Sequence, residues 1–458
     1  MLKLYGKALP SKTVFADLKY KSSYFPFFYS NVAIFFEFRR KYANMNVLND
    51  SYLAGEEKMI ITFVTDVYFD ENNGTGISAR RFTELLRKRG HKVRVVTIDE
   101  EGRTRYGLPK RSFGRLFDKI ISSEGFNFAS PDEDVLKSAI IGSDIVHIYM
   151  PFKLGIKTAK LCRELNIPCT AAFHVDPCNI TSTVYLHKIK PVNDAIYLGF
   201  YNNLYRYIKH IHCPSQMIAD RLVKQKYNSY LHVISNGFSE QFSMKEVEKP
   251  EFLNDKIIVS FIGRFSQEKR HDLIIKAVNR SKYRDQIQLI FGGKGPLKKK
   301  IQKMSTCLPN APIFGFYTKE QLHSIHNFTD IYIHPADTEI EGISCMEAIA
   351  CGVVPIVSKS SRSATPQFTI CEQSLFKAGD YKDLAEKLDW WIEHPEERLQ
   401  YKQAYVEHSK NFLIEKSIDK TIEMFKIAIK DWDPKYDGKK KTCPIKPTII
   451  KVDEEFKY

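Results

Sequence analysis

The sequence predicts an α/β protein of two parallel-sheet domains followed by terminal helices. Three observations carry this. Apolar runs of strand length alternate with helix-like segments, and Gly-containing loops punctuate the strand ends. The alternation also breaks and restarts around a charged, Pro-containing stretch, Lys245–Asp255 (KEVEKPEFLND), which reads as an interdomain linker. At 458 residues the chain is long for one core, and about 150 residues per domain suggests two or three.

Residues 1–58 stand apart. They are rich in aromatic and basic side chains (Tyr24-Phe25-Pro26-Phe27-Phe28-Tyr29, then Phe35 to Lys41) without a clean period. They read as an extension packed on the body or resting on a membrane. The first domain, 59–248, opens with the strand-length run Met59–Thr65 and a polar loop through Gly74 and Gly76. Helix Ser78–Arg89, ended by Gly90, and strand Lys92–Ile98 complete a βαβ unit, which implies a parallel sheet. Ile145–Tyr149, a helix near Gly155–Leu165 and strand Thr170–Phe173 continue it.

The second domain, 249–415, repeats the logic. Strands Ile257–Ile262, Ile287–Phe291, Ala311–Phe314, Ile331–His334 and Val353–Ser358 alternate with helices at 271–280, 297–304, 319–327 and 344–350. A helix at 381–394 and a last one at 417–432 follow, so 416–458 reads as terminal helix and tail. The fold class is therefore α/β, two Rossmann-like domains facing a cleft, with C-terminal helices.

Composition excludes some classes. The chain is 43% hydrophobic and 27% charged, as in globular proteins, and carries 69 Lys+Arg against 54 Asp+Glu, a net +15. That surplus points to anionic partners without choosing among nucleic acid, membrane and phosphorylated substrate. Nine cysteines without a CxxC pair suggest neither a disulfide framework nor a zinc site, and favour a reducing cytosol. Lys3, Lys7, Lys12 and Asp17 interrupt any apolar leader, and no run of 18 apolar residues occurs, so a cytoplasmic chain that does not span a membrane is expected.

Four features of the second domain converge on one chemistry. Gly263-Arg264 to Glu268-Lys269 follows a strand, so Arg264 and Lys269 can reach an anion at the ligand-facing end of a parallel sheet. Gly292-Gly293-Lys294-Gly295 follows the next strand and allows close backbone approach. Gly315-Phe316-Tyr317 follows another, where Phe316 could hold a planar base. Finally, Glu339-Ile340-Glu341-Gly342-Ile343-Ser344 leads into a helix carrying Glu347, whose free N–H groups and positive end suit an anion. Carboxylates beside an anion site make sense when they bind hydroxyls. Cations, a helix start and two carboxylates together describe a diphosphate flanked by two polyhydroxylated rings, a nucleotide sugar. Each piece alone is more often structural; their recurrence at successive strand ends is not readily accidental.

These stretches resemble glycosyltransferase family 4, retaining enzymes with the GT-B fold. GRFSQEK is similar to that family's G-R-x-x-x-E-K, GGKGPL to its G-x-G-P-L, and EIEGISCMEAIACGVVPIV to its paired-glutamate stretch, over residues 59–430 in all. The resemblance implies that Arg264 and Lys269 neutralise the diphosphate, Glu347 binds the ribose and Glu339 holds hydroxyls of the transferred hexose. It further implies phosphate amides at Ile343 and Ser344, a donor-side role for Gly263, Gly293 and Gly342, and an approach to the diphosphate by the loop at Gly76. His174, after a strand of the first domain, matches the family's cleft histidine. The implied donor is UDP-glucose, with retention by same-face transfer. The Glu-x-x-Gly form of the motif resembles the diacylglycerol glucosyltransferase branch, which implies a lipid acceptor.

No metal is expected. Asp132-Glu133-Asp134 resembles a metal motif, but Ser130 as N-cap, Pro131 at N1 and Glu133 at N3 make it a helix start. Arg103 to Ile121 carries six basic residues (Arg103, Arg105, Lys110, Arg111, Arg115 and Lys119) and one acid. Phe113, Leu116, Phe117, Ile120 and Ile121 share a helical face there. Such a helix can lie in an anionic membrane interface, placing the enzyme on the cytoplasmic face; the same face could equally pack on the first sheet. A saccharide acceptor, a sugar-nucleotide epimerase and a non-catalytic anion-binding protein remain as alternatives. Nucleic acid has only the net charge behind it and is not an expected partner.

Overall fold

The computed structural model describes residues 57–70, 73–114, 118, 127–182, 186, 189–440, 443 and 445–450. The extension at 1–58 lies outside them except for its last two residues.

The first half runs β1 (Ile60–Val64), α1 (Gly74–Lys88), β2 (Lys92–Ile98), β3 (Tyr106–Leu108), α2 (Glu133–Ile140), β4 (Ile145–Ile148) and α3 (Lys153–Glu164). It continues through β5 (Cys169–Ala172), α4 (Pro177–Ser182), α5 (Lys190–Asn203), β6 (His210–Cys213), α6 (Gln216–Lys224) and β7 (Tyr230–Val233). The second half runs β8 (Ile257–Ile262), α7 (His271–Arg280), β9 (Ile287–Gly292), α8 (Lys298–Met304), β10 (Ile313–Gly315), α9 (Lys319–Phe328) and β11 (Ile331–His334). Then come α10 (Ile343–Ala350), β12 (Val354–Ser358), β13 (Leu375–Phe376), α11 (Tyr381–Glu393) and α12 (Pro395–Ser409). The chain returns through α13 (Ile414–Lys430) and β14 (Thr448–Ile450).

The strands form two parallel sheets, ordered β14-β7-β6-β5-β4-β1-β2-β3 and β10-β9-β8-β11-β12-β13. β1 is a central strand, Ile61 pairing with Val93 on one side and Ile145 on the other, and it is buried from Ile61 to Val64, which is why all but Thr62 are apolar. In each sheet the order reverses beside the first strand: β1 lies between β2 and β4, β8 between β9 and β11. At such a switch point the loops beyond the strand C-termini diverge and leave a crevice. Met59–Tyr458 form one compact unit, so the two crevices belong to one body.

Several expectations change. Helix α1 starts at Gly74, not Ser78: Asn73 caps it by accepting from Thr75 N, which draws the Gly loop into the first turn. Helix α2 is capped by Asp132, not Ser130, because the Asp132 carboxylate accepts from Asp134 N and Val135 N. Ser130 N is instead bonded to Pro109 O. Within Arg103–Ile121, residues 106–108 form the edge strand β3 on β2, and among the described residues Asp118 N makes a helical bond to Gly114 O. Residues 115–117 and 119–121, Arg115 and Phe117 included, lie outside the described residues, so the helix expected over Phe113–Ile121 falls largely outside them. The described part of the terminal segment packs on the first half. Ile414, Ile418, Ile422 and Phe425, spaced three or four apart on α13, pack with β1 and α1, and β14 extends the first sheet beside β7. Among the described residues, no helix is long and apolar enough to cross a membrane.

Candidate active site

The C-terminal ends of both sheets face one cleft of about 850 Å³. From the second half, Gly263, Arg264, Lys269, Phe316, Glu339, Gly342, Ile343, Ser344 and Glu347 line it; from the first, His174 does. Ten of the residues singled out from the sequence thus line one cleft, because each sits in a loop past a strand end or in the first turns of the helix that follows.

The loops after β8, β9 and β10 are laced together by their backbones. Gly263 N donates to Gly292 O at 2.8 Å, Gly293 N to Gly315 O at 2.8 Å and Phe265 N to Lys294 O at 2.9 Å. Gly293, at φ +145°, is not on the cleft wall: a Cβ there would fall 2.0 Å from Gly263 O, so its role is to let the two loops close up. Gly76 is likewise not on the wall. It is buried in the first turn of α1, where a Cβ would meet Val67 O at 2.1 Å, and Asn73, Gly74 and Thr75 face the cleft instead.

Gly342 is the N-cap of helix α10, whose start is fixed by Ser344: its Oγ donates to Ile262 O at 2.8 Å and lies 2.9 Å from Tyr332 OH. The side chain of Ser344 is therefore engaged inward, leaving only its amide for a ligand. Glu339 is ion-paired with Lys269, and its Oε2 is 3.3 Å from His334 Nε2. Burial pushes the Glu339 carboxyl up, but Lys269 and His334 outweigh it and hold it at about 2. Glu347 pairs with Arg81 of α1, Nη2 to Oε1 at 3.0 Å; burial raises its carboxyl against the pull of that guanidinium. His174 is buried, stacked on Tyr149 at 4.8 Å and edge-on to His212 at 5.2 Å. Burial and then His212 hold its pKa well below the ordinary value, so the ring is neutral, and no described residue bonds its Nε2.

Sequence reasoning left the role of Glu341 open and missed Arg81. Glu341 is a clasp between the halves. Its carboxylate accepts from Ser235 Oγ at 2.5 Å, from Asn236 N at 3.0 Å and from Asn236 Nδ2 at 2.7 Å, while Ser78 Oγ on α1 donates to Asn236 Oδ1 at 2.5 Å. Burial outweighs those bonds and raises its carboxyl to about 7. The signal for Arg81 was its place in the second turn of the helix after the Gly loop.

None of the described residues of the basic segment lines the cleft. Arg103 pairs with Asp99 and Glu101 and stacks 3.7 Å over Phe69; Arg105 stacks on Tyr106, and Lys110 bridges to Ala129. Arg111 lies 4.7 Å over Phe113, which is 41% exposed.

Family models match without a gap between them: Glycosyltransferase Family 4 over residues 72–242 and glycosyl transferases group 1 over residues 243–408. The chain belongs to glycosyltransferase family 4. This glycosyltransferase is 26% identical to a GDP-mannose-dependent α-mannosyltransferase of Corynebacterium glutamicum over 311 residues, 65% of this chain and 72% of that one. It is 23% identical to an α-monoglucosyldiacylglycerol synthase of Acholeplasma laidlawii over 322 residues, 65% and 80% of the two chains. The GT-B fold is evident in its likeness to Anabaena HepE in complex with UDP and glucose, at a TM-score of 0.62 and 15% identity over 80% of this chain and 99% of that one. The catalytic domain of cholesterol-α-glucosyltransferase from Helicobacter pylori matches at 40% identity over 34% of this chain and 98% of that one, but at a TM-score of 0.33 the match bears on neither fold nor acceptor.

Proposed function

We propose that this glycosyltransferase moves glucose from UDP-glucose, with retention, to a membrane lipid, diacylglycerol or a glycolipid, at the cytoplasmic face of a membrane. The observation that carries the reading is one cleft wall on which Arg264, Lys269 and the start of α10 stand beside two carboxylates, Glu339 and Glu347. Cations and amides suit a diphosphate, and carboxylates suit the hydroxyls of the rings on either side of it.

The bond between the anomeric carbon and the diphosphate oxygen breaks, and its electron pair stays with the leaving nucleoside diphosphate. Arg264, Lys269 and the amides of Ile343 and Ser344 stabilise that charge as it develops. The acceptor hydroxyl adds on the same face and gives its proton to the leaving phosphate. Glu339 holds the hexose, Glu347 the ribose and Phe316 the base. His174, being neutral, serves as a hydrogen-bond partner for a sugar hydroxyl, not as a cation. With this much positive charge supplied by the chain, no metal is needed, and a chelator leaves the rate unchanged.

The lipid acceptor rests on the name of the Acholeplasma relative and on the surface of the first half. Phe113, Phe128, Phe152 and Phe200 form a line of edge-on rings, and Leu198, two residues before Phe200 on α5, is 57% exposed. Leu186 and Ile189 just before α5 are exposed too, with Lys190 and Arg111 among these residues, which suits an anionic bilayer. The Corynebacterium relative favours a second reading, mannosyl transfer from GDP-mannose.

The test supplies labelled UDP-glucose or GDP-mannose with either diacylglycerol micelles or a panel of soluble sugars. Label from UDP-glucose in the organic phase is expected. Label only in aqueous products removes the lipid, and an altered donor sugar formed without acceptor would mean an epimerase. Flotation with anionic vesicles should weaken with salt; equal binding to neutral vesicles would remove the electrostatic surface.

A further inference from the structure

Arg81 stands in the cleft on the half opposite the other donor-site cations. It projects from α1 and reaches Glu347 of α10, and the two side chains are only 12% and 7% exposed. One guanidinium nitrogen, Nη2, makes that bond. The other two, Nε and Nη1, are buried without a hydrogen-bond partner among the described residues. A guanidinium carries five N–H donors in a planar fork, and burying most of them unbonded is costly. An anion entering the cleft, which Arg81 lines together with Arg264 and Lys269, would take them.

The partner of Arg81 sharpens the point. Glu347 is the carboxylate read as the ribose ligand, and Glu339, read as the hexose ligand, is likewise held by a cation, Lys269. Each carboxylate read as a hydroxyl ligand is thus paired with a cation that lines the same cleft. A ribose that takes Glu347 loosens its hold on Arg81, whose fork can then turn to the neighbouring diphosphate.

We propose that Arg81 is a third diphosphate ligand, supplied by the first half, and that its exchange from Glu347 to phosphate makes ribose and diphosphate binding cooperative. The inference rests on the donor reading of the cleft. It adds a contact from α1 that closes one half on the other when the whole donor is present, and that a nucleoside or a diphosphate alone engages incompletely. Coupling of this kind is reciprocal, so either fragment should promote the other by the same factor.

The experiment is calorimetric titration of the full chain with uridine, UDP and pyrophosphate, repeated with the guanine analogues. Arg81→Gln should weaken UDP about tenfold or more and change uridine by no more than about twofold, with Arg81→Lys recovering part of the loss. In the natural chain, saturating uridine should tighten pyrophosphate severalfold. In Glu347→Gln that coupling should vanish while pyrophosphate alone binds at least as well. Equal losses for uridine and UDP in Arg81→Gln would reduce Arg81 to a support for Glu347, and unchanged UDP binding would remove the phosphate contact. If Arg81→Gln does not fold, absence of the uridine–pyrophosphate coupling in the natural chain overturns the proposal by itself. Failure of every nucleotide to bind the natural chain would instead take down the donor reading and this inference with it.

Discussion

Replacing Glu341 with Gln tests whether the clasp between the halves is a titrating one. The carboxyl is buried against Ser235 and Asn236, and its pKa stands at about 7 in the folded chain against an ordinary 4.5. The folded state therefore binds a proton more readily than the unfolded chain. The stability that this provides is present below about pH 4.5, and is lost as pH rises through about 7. At 1.36 kcal/mol per pKa unit, raising pH from about 6 to about 8.5 removes roughly 1–2 kcal/mol through this group, about tenfold in the folding equilibrium. Glu341→Gln keeps the shape and an acceptor oxygen but cannot titrate, so its stability should fall less over the same interval. Guanidinium unfolding of both proteins at the two pH values, followed by circular dichroism with the m-value checked for constancy, reads the difference directly. Parallel pH profiles for the natural and variant proteins would refute the argument, because they would mean that Glu341 has the same affinity for protons folded and unfolded.

Arg264→Ala should lower kcat/KM about a hundredfold or more without shifting the melting temperature, since the side chain faces the cleft and not a core; normal turnover by the folded variant removes the site assignment. Gly293→Ala should destabilise the second half by roughly 2 kcal/mol or more and loosen nucleotide binding, because its Cβ would meet a backbone oxygen that cannot rotate away. Unchanged binding and stability would show that the loops part easily. Acid should destabilise the fold: burial holds His212 at about 4 and His271 and His326 at about 3, so below about 6.5 only the unfolded chain takes up those protons, at up to roughly 2 kcal/mol each by about pH 5. Asp66 and Glu341, both raised to about 7, offset part of that loss, so the expected net effect is a falling unfolding midpoint between about pH 6.5 and about 5, and a flat or rising midpoint would contradict the histidine burial.

What the sequence determined by itself was the α/β alternation and the cluster of chemistry at successive strand ends. Central parallel strands are covered on both faces, so β1, β8 and β11 are largely apolar, each with one polar member (Thr62, Ser260 and His334), and the loops after them lie at the ligand-facing edge. That is why Arg264, Lys269, Glu339 and Glu347 could be named before any contact was known. The strands β6 and β7 escaped notice for the converse reason: His210, His212 and His232 look polar in sequence, yet they lie buried in the first sheet, with His210 Nδ1 2.9 Å from His232 Nε2 and His212 Nε2 2.7 Å from Ile234 O.

The tertiary structure decided everything that depends on which distant surfaces meet. Arg81 and Glu347 are 266 positions apart, and Asn236 and Glu341 are 105 apart, so no periodicity connects them. The competition at Asp132 and the inward turn of Ser344 depended on which donors lay within reach once the backbone was fixed. The return of α13 and β14 to the first half followed the same rule: an amphipathic stripe announces that a helix must be covered, but the surface that covers it is chosen only when the whole chain has packed.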